Sequence, residues 1–398
     1  MRNTFRRWWK KPAVHAPGTA SQRVTWLELF YDLVFVVVIA RLAHHLNAHP
    51  DAEGLRAFLL LFVPVWWVWV SGTYYNERFE TYDLSFRVFV FLQMLAVAAM
   101  AATAEGGVDR TASGFALAYA AARLILTGMW FRAGWHNPPV RPVTTLYVLA
   151  FTFSVALWVT SAVLPPSPLS TALRVVGLLA ELGVPLLTLP AQRRVFLGRA
   201  RKLPERFGLF VLIVLGESLV GVVDGLTDAE HVTFSTLLRF LLGFMVGFGL
   251  WWVYFDNIGR REPRSEGGSL TLAVWVYLHL PFVTGVAAIG AMLAHSVEVA
   301  SGVPEGAVRW ILCGAFAVCY LCMAGLEGTL EPEDPPLIPS GRLVLLRVGT
   351  GAAALLVPLL PLPLSGVVAA LVALHLVHMG VGVRAWFGSS NAGRTDVH

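Results

Sequence analysis

Six polar side chains carry the chemistry a reader of this sequence meets first. Gln93, Arg123, Glu181, Glu217, His279 and His375 each fall nine to eleven residues inside a long apolar run. A helix rises about 1.5 Å per residue, so all six are expected near mid-depth of a membrane. An ionisable group there costs at least ~2.5–3.5 kcal/mol on insertion scales. Such groups are therefore expected to face one another and not lipid. Arg123 keeps its proton in a protein and calls for a carboxylate, with Glu217 and Glu181 as the candidates. A buried layer of this kind suits a site for a small solute, an ion or a proton. A purely structural ion pair or hydrogen-bond knot would use the same residues.

The stretch WLELFYDLVFVVVIARLAHHL, residues 26–46, adds a second group. Glu28 and Asp32 are four apart, so they share a helix face, as do Arg41 and His45 on another face. The first pair lies toward the start of the run and the second toward its end. Neither pair is tolerable in lipid, which predicts a helix enclosed by others. A carboxylate–histidine ladder would relay protons, since imidazole titrates near neutrality. Alternatively, Glu28 caps the first turn of its own helix. In VLGESLVGVVDG, Glu217 stands between Gly216 and Ser218, with Gly221 one turn on. Small residues permit close helix approach and also suit a discontinuous transporter helix. In LHLPF, Pro281 follows His279 by two residues, and proline removes a backbone donor. Two mixed-charge junctions, YYNERFETYD and YFDNIGRRE, contain Asn76, Arg78 and Asp256. These three are gate candidates, although interfacial anchoring explains the aromatic residues around them.

The elements that must position these groups follow from composition. The chain has 398 residues, 56% hydrophobic and 14% charged, with a mean hydropathy of +0.65. Soluble domains are nearer a quarter charged. Apolar windows approaching the ~20 residues of a membrane span recur throughout, so the expected class is all-α: a polytopic transmembrane helical bundle. We place twelve spans at 27–46, 55–75, 84–104, 112–132, 143–163, 170–190, 207–225, 234–256, 270–295, 305–326, 341–361 and 364–387. Basic residues cluster in the amino tail (Arg2, Arg6, Arg7, Lys10, Lys11), around residues 193–206 and around 260–264. The loops 165–169, 227–231, 296–304 and 362–365 have no Lys or Arg. Positive-inside reasoning then predicts both termini in the cytoplasm, with the tail retained. The 327–340 loop is acidic and falls on the same inner side. The net charge of +5 belongs to these loops and implies no nucleic-acid partner. The expected partner is the lipid bilayer, with a proton or small solute as cargo.

No cofactor and no enzymatic activity are expected. Cys313, Cys319 and Cys322 share one apolar run, where packing accounts for them better than a disulfide framework or a soft-metal site. Neither a HExxH nor a CxxCH string occurs, and no GxxxxGK[ST] loop. The alternatives are a redox protein whose His44, His45, His279, His295, His375 or His378 ligate haem or metal, and a structural or lipid-sensing membrane protein in which the polar layer only fixes packing. A retinal Schiff base is excluded at mid-depth, because Lys10, Lys11 and Lys202 are the only lysines.

The halves echo each other. WWVWV at 66–70 matches WWVYF at 251–255, ELF at 28–30 matches ERF at 205–207, and PLS recurs at 168–170 and 363–365. We expect a basic tail (1–25), a six-helix repeat (26–190), a basic linker (191–206), a second six-helix repeat (207–387) and a C-terminal tail (388–398), the repeats being parallel.

Six strings, in order, are similar to a known family: ELFYDLVFVVVIARLAHHL, WWVWVSGTYYNERFETYDL, FLQMLAVAAMA, FALAYAAARL, ERFGLFVLIVLGESLVGVV and HLPFVTGVAAIGA. They resemble the bacterial low temperature requirement protein A family across most of the chain. The resemblance implies a multi-pass inner-membrane protein tied by name to growth in the cold, and implies no particular reaction.

Overall fold

A chain in hydrocarbon must satisfy its peptide groups internally, which leaves helices as the solution for long apolar runs. The structure is a computed structural model that describes residues 11–14, 24–80, 83–104, 112–196, 202–229, 231–264, 268–298, 306–332 and 338–395. Thirteen α-helices occur among the described residues: α1 (Trp26–Ala48), α2 (Ala52–Arg78), α3 (Leu84–Ala104), α4 (Ala112–His136), α5 (Arg141–Val163), α6 (Pro168–Leu187), α7 (Leu189–Val195), α8 (Leu203–Thr227), α9 (Phe234–Asn257), α10 (Gly268–Glu298), α11 (Gly306–Glu327), α12 (Ser340–Leu356) and α13 (Leu364–Thr395). Eleven of them, all but α1 and α7, are long and apolar enough to cross a membrane. Helix α1 has 23 residues, about 35 Å, which is also the length of a span, and it carries Glu28, Asp32 and Arg41.

Prolines set the differences from the expected spans. The run at 170–190 stops at Leu187, because Pro190 cannot donate to the turn before it and instead opens α7. The run at 341–361 ends as α-helix at Leu356, followed by a 3-10 turn at Val357–Leu359 around Pro358. Helix α10, by contrast, runs through Pro281 for 31 residues. Polar caps fix other starts: Ser167 with Ser170 and Thr233 with Thr236 form capping boxes for α6 and α9. Asp83 accepts from Phe86 N–H at 3.1 Å to cap α3.

The only strands among the described residues are β1 (Ala13–Val14) and β2 (Phe79–Glu80), paired antiparallel, Ala13 with Glu80 and Val14 with Phe79. Asn137 Nδ2 also donates to Pro12 O at 2.7 Å. Arg2, Arg6, Arg7 and Lys10 of the expected tail lie outside the described residues, as do Arg199, Arg201 and part of the acidic loop, 333–337. The segment 191–206, expected as a basic linker, instead holds most of α7 and the first turn of α8, and its Gln192 and Arg206 are buried.

Two compact units emerge. Unit 1 comprises Met1–Leu42, Ala57–Arg206 and Glu266–Ala273, and unit 2 comprises Ala43–Arg56, Phe207–Ser265 and Val274–His398. Within unit 1, α4 packs on α3 and α5, and α5 on α6, as short connections favour. Trp130 of α4 stacks on Tyr147 of α5 at 4.0 Å. Within unit 2, α11 packs on α12 and α9 on α13.

One expectation for α1 is corrected. Its acidic face is buried, but Trp26, Phe30, Leu33 and Val37 are exposed, and Arg41 and His44 lie on the same open side. The helix is not enclosed all round. Arg41 lies seven residues, about 10 Å, from the helix end, so its long side chain can carry the charge toward the interface.

Candidate functional site

The polar centre of unit 1 begins at the first turn of α1. Glu28 Oε2 accepts from both the backbone N–H and Oγ1 of Thr25 at 2.8 Å, and Glu28 N–H donates to Thr25 Oγ1 at 3.3 Å. Glu28 therefore caps its helix. Its other oxygen lies 4.0 Å from Arg206 Nη1. One turn on, Asp32 Oδ1 accepts from Arg206 Nη2 at 2.5 Å and from Trp69 Nε1 at 2.8 Å. Asp32 is fully buried and Arg206 nearly so. Three helices thus converge on one carboxylate.

A second pair joins the middles of α4 and α6. Arg123 Nε lies 2.7 Å from Glu181 Oε2, both fully buried. Tyr119, one turn before Arg123, donates its hydroxyl to Glu181 Oε2 at 2.8 Å and accepts from Arg123 Nε at 2.9 Å. Ser154 and Trp67 also lie against the Glu181 carboxylate. The guanidinium rests over the Tyr119 and Phe151 rings at 5.0 and 5.3 Å. Its Nη1 and Nη2 have no hydrogen-bond partner among the described residues. Of the two candidate partners for Arg123, the structure selects Glu181.

Tyr31 stands within electrostatic reach of Arg206, Asp32 and Arg123. It lines a cavity of about 10 Å3 together with Glu28, Gly72, Asn76, Gln93 and Met129. That is close to the room one water needs. The Tyr31 hydroxyl and Gln93 Nε2 are buried there without partners among the described residues. Gly72 keeps the space open, since a Cβ at that position would lie 2.9 Å from the Tyr31 hydroxyl.

Unit 2 treats its buried polar residues differently. His279 Nδ1 meets the Trp275 carbonyl at 2.7 Å, so that nitrogen carries the hydrogen, and Nε2 accepts from the Tyr254 hydroxyl at 3.0 Å. Both ring nitrogens are occupied in the neutral form. The Tyr320 hydroxyl meets His375 Nδ1 at 2.6 Å, and Thr350 Oγ1 meets His378 Nε2 at 2.9 Å. Glu217 is half-buried and makes no hydrogen bond or ion pair among the described residues. Its neighbour Ser218 bonds Val286 O at 3.2 Å, and a Cβ on Gly290 would meet Ser218 at 2.5 Å. The small residues of unbroken α8 therefore serve close packing on α10. Glu327, read from sequence as part of an acidic loop, ends α11 and is buried between Arg261 (2.8 Å) and Arg347 (3.1 Å).

The gate candidates separate. Asn76 lines the small cavity. Arg78 bonds Gln192 Oε1 at 2.5 Å and lies 3.6 Å over the Tyr74 ring. Asp256 is exposed at the end of α9 and makes no such contact among the described residues. No three His, Cys, Asp or Glu side chains among the described residues converge as a metal ion requires.

Sequence reasoning missed Arg206, Trp67, Trp69, Tyr31 and Tyr119. Arg206 belongs to a basic loop by composition, yet it sits in ERF at the edge of an apolar run. Tyr119 lies four residues before Arg123, the spacing at which one helix face brings two side chains together.

The uncharacterized protein RA0937 of Rhizobium meliloti (strain 1021) is 27% identical over 289 residues, which is 68% of each chain. The family model for bacterial low temperature requirement A protein (LtrA) matches residues 23–385. Over nine-tenths of the sequence is thereby accounted for by one family, and this multi-pass membrane protein belongs to the bacterial low temperature requirement A family.

Proposed function

We propose that the protein is a secondary transporter or permease of the bacterial inner membrane, driven by protons, with its site in unit 1. It acts as a carrier and not as an enzyme, and both termini face the cytoplasm. One observation carries this reading. Three buried carboxylates, Glu28, Asp32 and Glu181, stand with two buried guanidiniums, Arg123 and Arg206, and Asp32 Oδ2, Glu181 Oε1 and both Nη atoms of Arg123 are buried there without hydrogen-bond partners among the described residues. A proton on a free carboxylate oxygen, or a solute held against these atoms, satisfies them, and buried intramembrane ionisable groups mark such pathways. The unpartnered donors on Arg123, Tyr31 and Gln93 provide contacts for water or solute. The Arg78–Gln192 contact is the best placed of the gate candidates, next to Asn76 on α2. We further propose that the chain is a duplicated six-helix unit, supported by a tyrosine that bridges the fourth and sixth long helices of each half.

The test is flux in proteoliposomes under an imposed pH gradient, against a panel of small solutes. Asp32→Asn and Glu181→Gln should each abolish gradient-driven uptake. Thermal unfolding run in parallel separates loss of function from loss of fold. Wild-type proteoliposomes that move no solute and no protons, or variants that match the wild type, would overturn the proposal.

A further inference from the structure

A second feature of unit 1 lies apart from the charged centre. Helices α2 and α6 flank a groove of about 270 Å3. Leu59 and Val63 form one wall and Leu178 and Leu182 the other, over a floor of Phe115 and Trp158. An apolar cavity of about 150 Å3 already holds a benzene ring, so this one is large enough for a stretch of hydrocarbon. At one end stand Thr171 and Arg174. Arg174 sits six residues into α6, about 9 Å from its start. Its Nε donates to Ser161 Oγ at 3.0 Å, and Ser161 passes its own hydrogen to Trp158 O at 2.7 Å. No Asp or Glu pairs with Arg174 among the described residues. It is a cation in a spanning helix, nine-tenths buried, held only by a neutral hydroxyl.

We propose that this groove holds an acyl chain of an anionic phospholipid, with the headgroup phosphate on Arg174 and Thr171. The charge fixes the choice of occupant. The planar guanidinium fork matches phosphate oxygens in pairs, and hydrocarbon alone fits the remaining walls. The groove runs from Thr171 to Leu182, about 16 Å along α6. The phosphate sits at the end nearer the α5–α6 turn, where a lipid headgroup belongs, and the chain lies inward. A simple arginine that reaches out to the interface would show no preference among lipids and would leave the groove to any chain.

Native mass spectrometry and thermal unfolding of the full chain in detergent test this. The probes are phosphatidylglycerol, phosphatidylcholine with the same acyl chains, and inorganic phosphate. Phosphatidylglycerol should remain bound and raise the unfolding temperature, and the other two should not. Arg174→Gln should weaken retention about tenfold, the scale of one charge-assisted contact. Leu178→Trp, which fills the groove and leaves the arginine in place, should also lose retention. If Arg174→Gln does not fold, Arg174→Lys keeps the charge without the fork and should fall between. Equal retention of both lipids, full retention in Leu178→Trp, or a shift produced by inorganic phosphate alone would overturn the assignment.

Discussion

The two units solve one junction in two ways. In unit 1 the Tyr119 hydroxyl bridges α4 to Glu181 of α6 at 2.8 Å, and in unit 2 the Tyr320 hydroxyl bridges α11 to His375 of α13 at 2.6 Å. One turn after the first tyrosine stands Arg123, and one turn after the second stands Ala324. Where the acid becomes imidazole, the arginine is absent too. A tyrosine on a neutral ring is thus sufficient to join such helices, and the ion pair of unit 1 is not required for that purpose. Burying two charges is often no more stabilising than packing apolar groups of the same size. The charge at this junction of unit 1 is therefore the part that the proposed transport function has to account for.

The largest effect comes from breaking the pair on one side only. Arg123→Ala or Glu181→Ala strands a buried charge and should cost about 3–5 kcal/mol, read by thermal unfolding of the purified protein. The double variant Arg123→Ala with Glu181→His copies the Ala324–His375 arrangement into unit 1. It should recover most of the stability while gradient-driven flux stays lost. A double variant no more stable than the singles would show that the two junctions are not equivalent.

The tyrosines rank next. Tyr119→Phe removes a donor to a carboxylate and an acceptor for Arg123 and should cost about 1.5–3 kcal/mol. Tyr320→Phe removes a bond to a neutral imidazole and should cost about 1 kcal/mol. Equal losses in unfolding measurements would mean that the hydroxyl does the same work in both places.

Gly249 makes the neutral junction possible. A Cβ there would sit 2.6–2.9 Å from three ring atoms of His375. Gly249→Ala should cost about 1–3 kcal/mol through overpacking, and the loss should shrink in a His375→Ala background. The double-mutant cycle measures that coupling. An additive result would place the strain elsewhere.

Much of this architecture is legible in the sequence, because hydropathy and proline reflect local physics that tertiary contacts rarely overrule. The twelve apolar runs are all helical, and the depth argument finds Arg123, Glu181, His279 and His375 as buried mid-helix groups. Pairing is less legible. Glu181 and Glu217 sit at similar depth, and only rotation about the helix axis distinguishes a buried carboxylate from a half-buried one. Arg206 shows the same limit from the other side. Position in a basic segment says loop, but three residues of helix carry it inward to Asp32. Indole and phenol donors such as Trp69 and Tyr254 also read as membrane anchors until their partners are seen.

The smallest effect sharpens the comparison most finely, because both units use the same local device. Thr25 accepts from Glu28 N–H at the start of α1, and Thr233 accepts from Thr236 N–H at the start of α9. Thr25→Ala and Thr233→Ala should each cost about 1 kcal/mol, the usual worth of a helix cap. Only the first also holds an acid, since Glu28 Oε2 takes both Thr25 donors while Oε1 approaches Arg206. Removing the threonine hydroxyl frees that carboxylate to move toward the guanidinium that Asp32 now occupies. Flux should therefore change in Thr25→Ala and stay at the wild-type level in Thr233→Ala, at matched thermal stability. Flux unchanged in both would remove Glu28 from the working set and leave its other four buried charges, Asp32, Arg206, Arg123 and Glu181, to be tested without it.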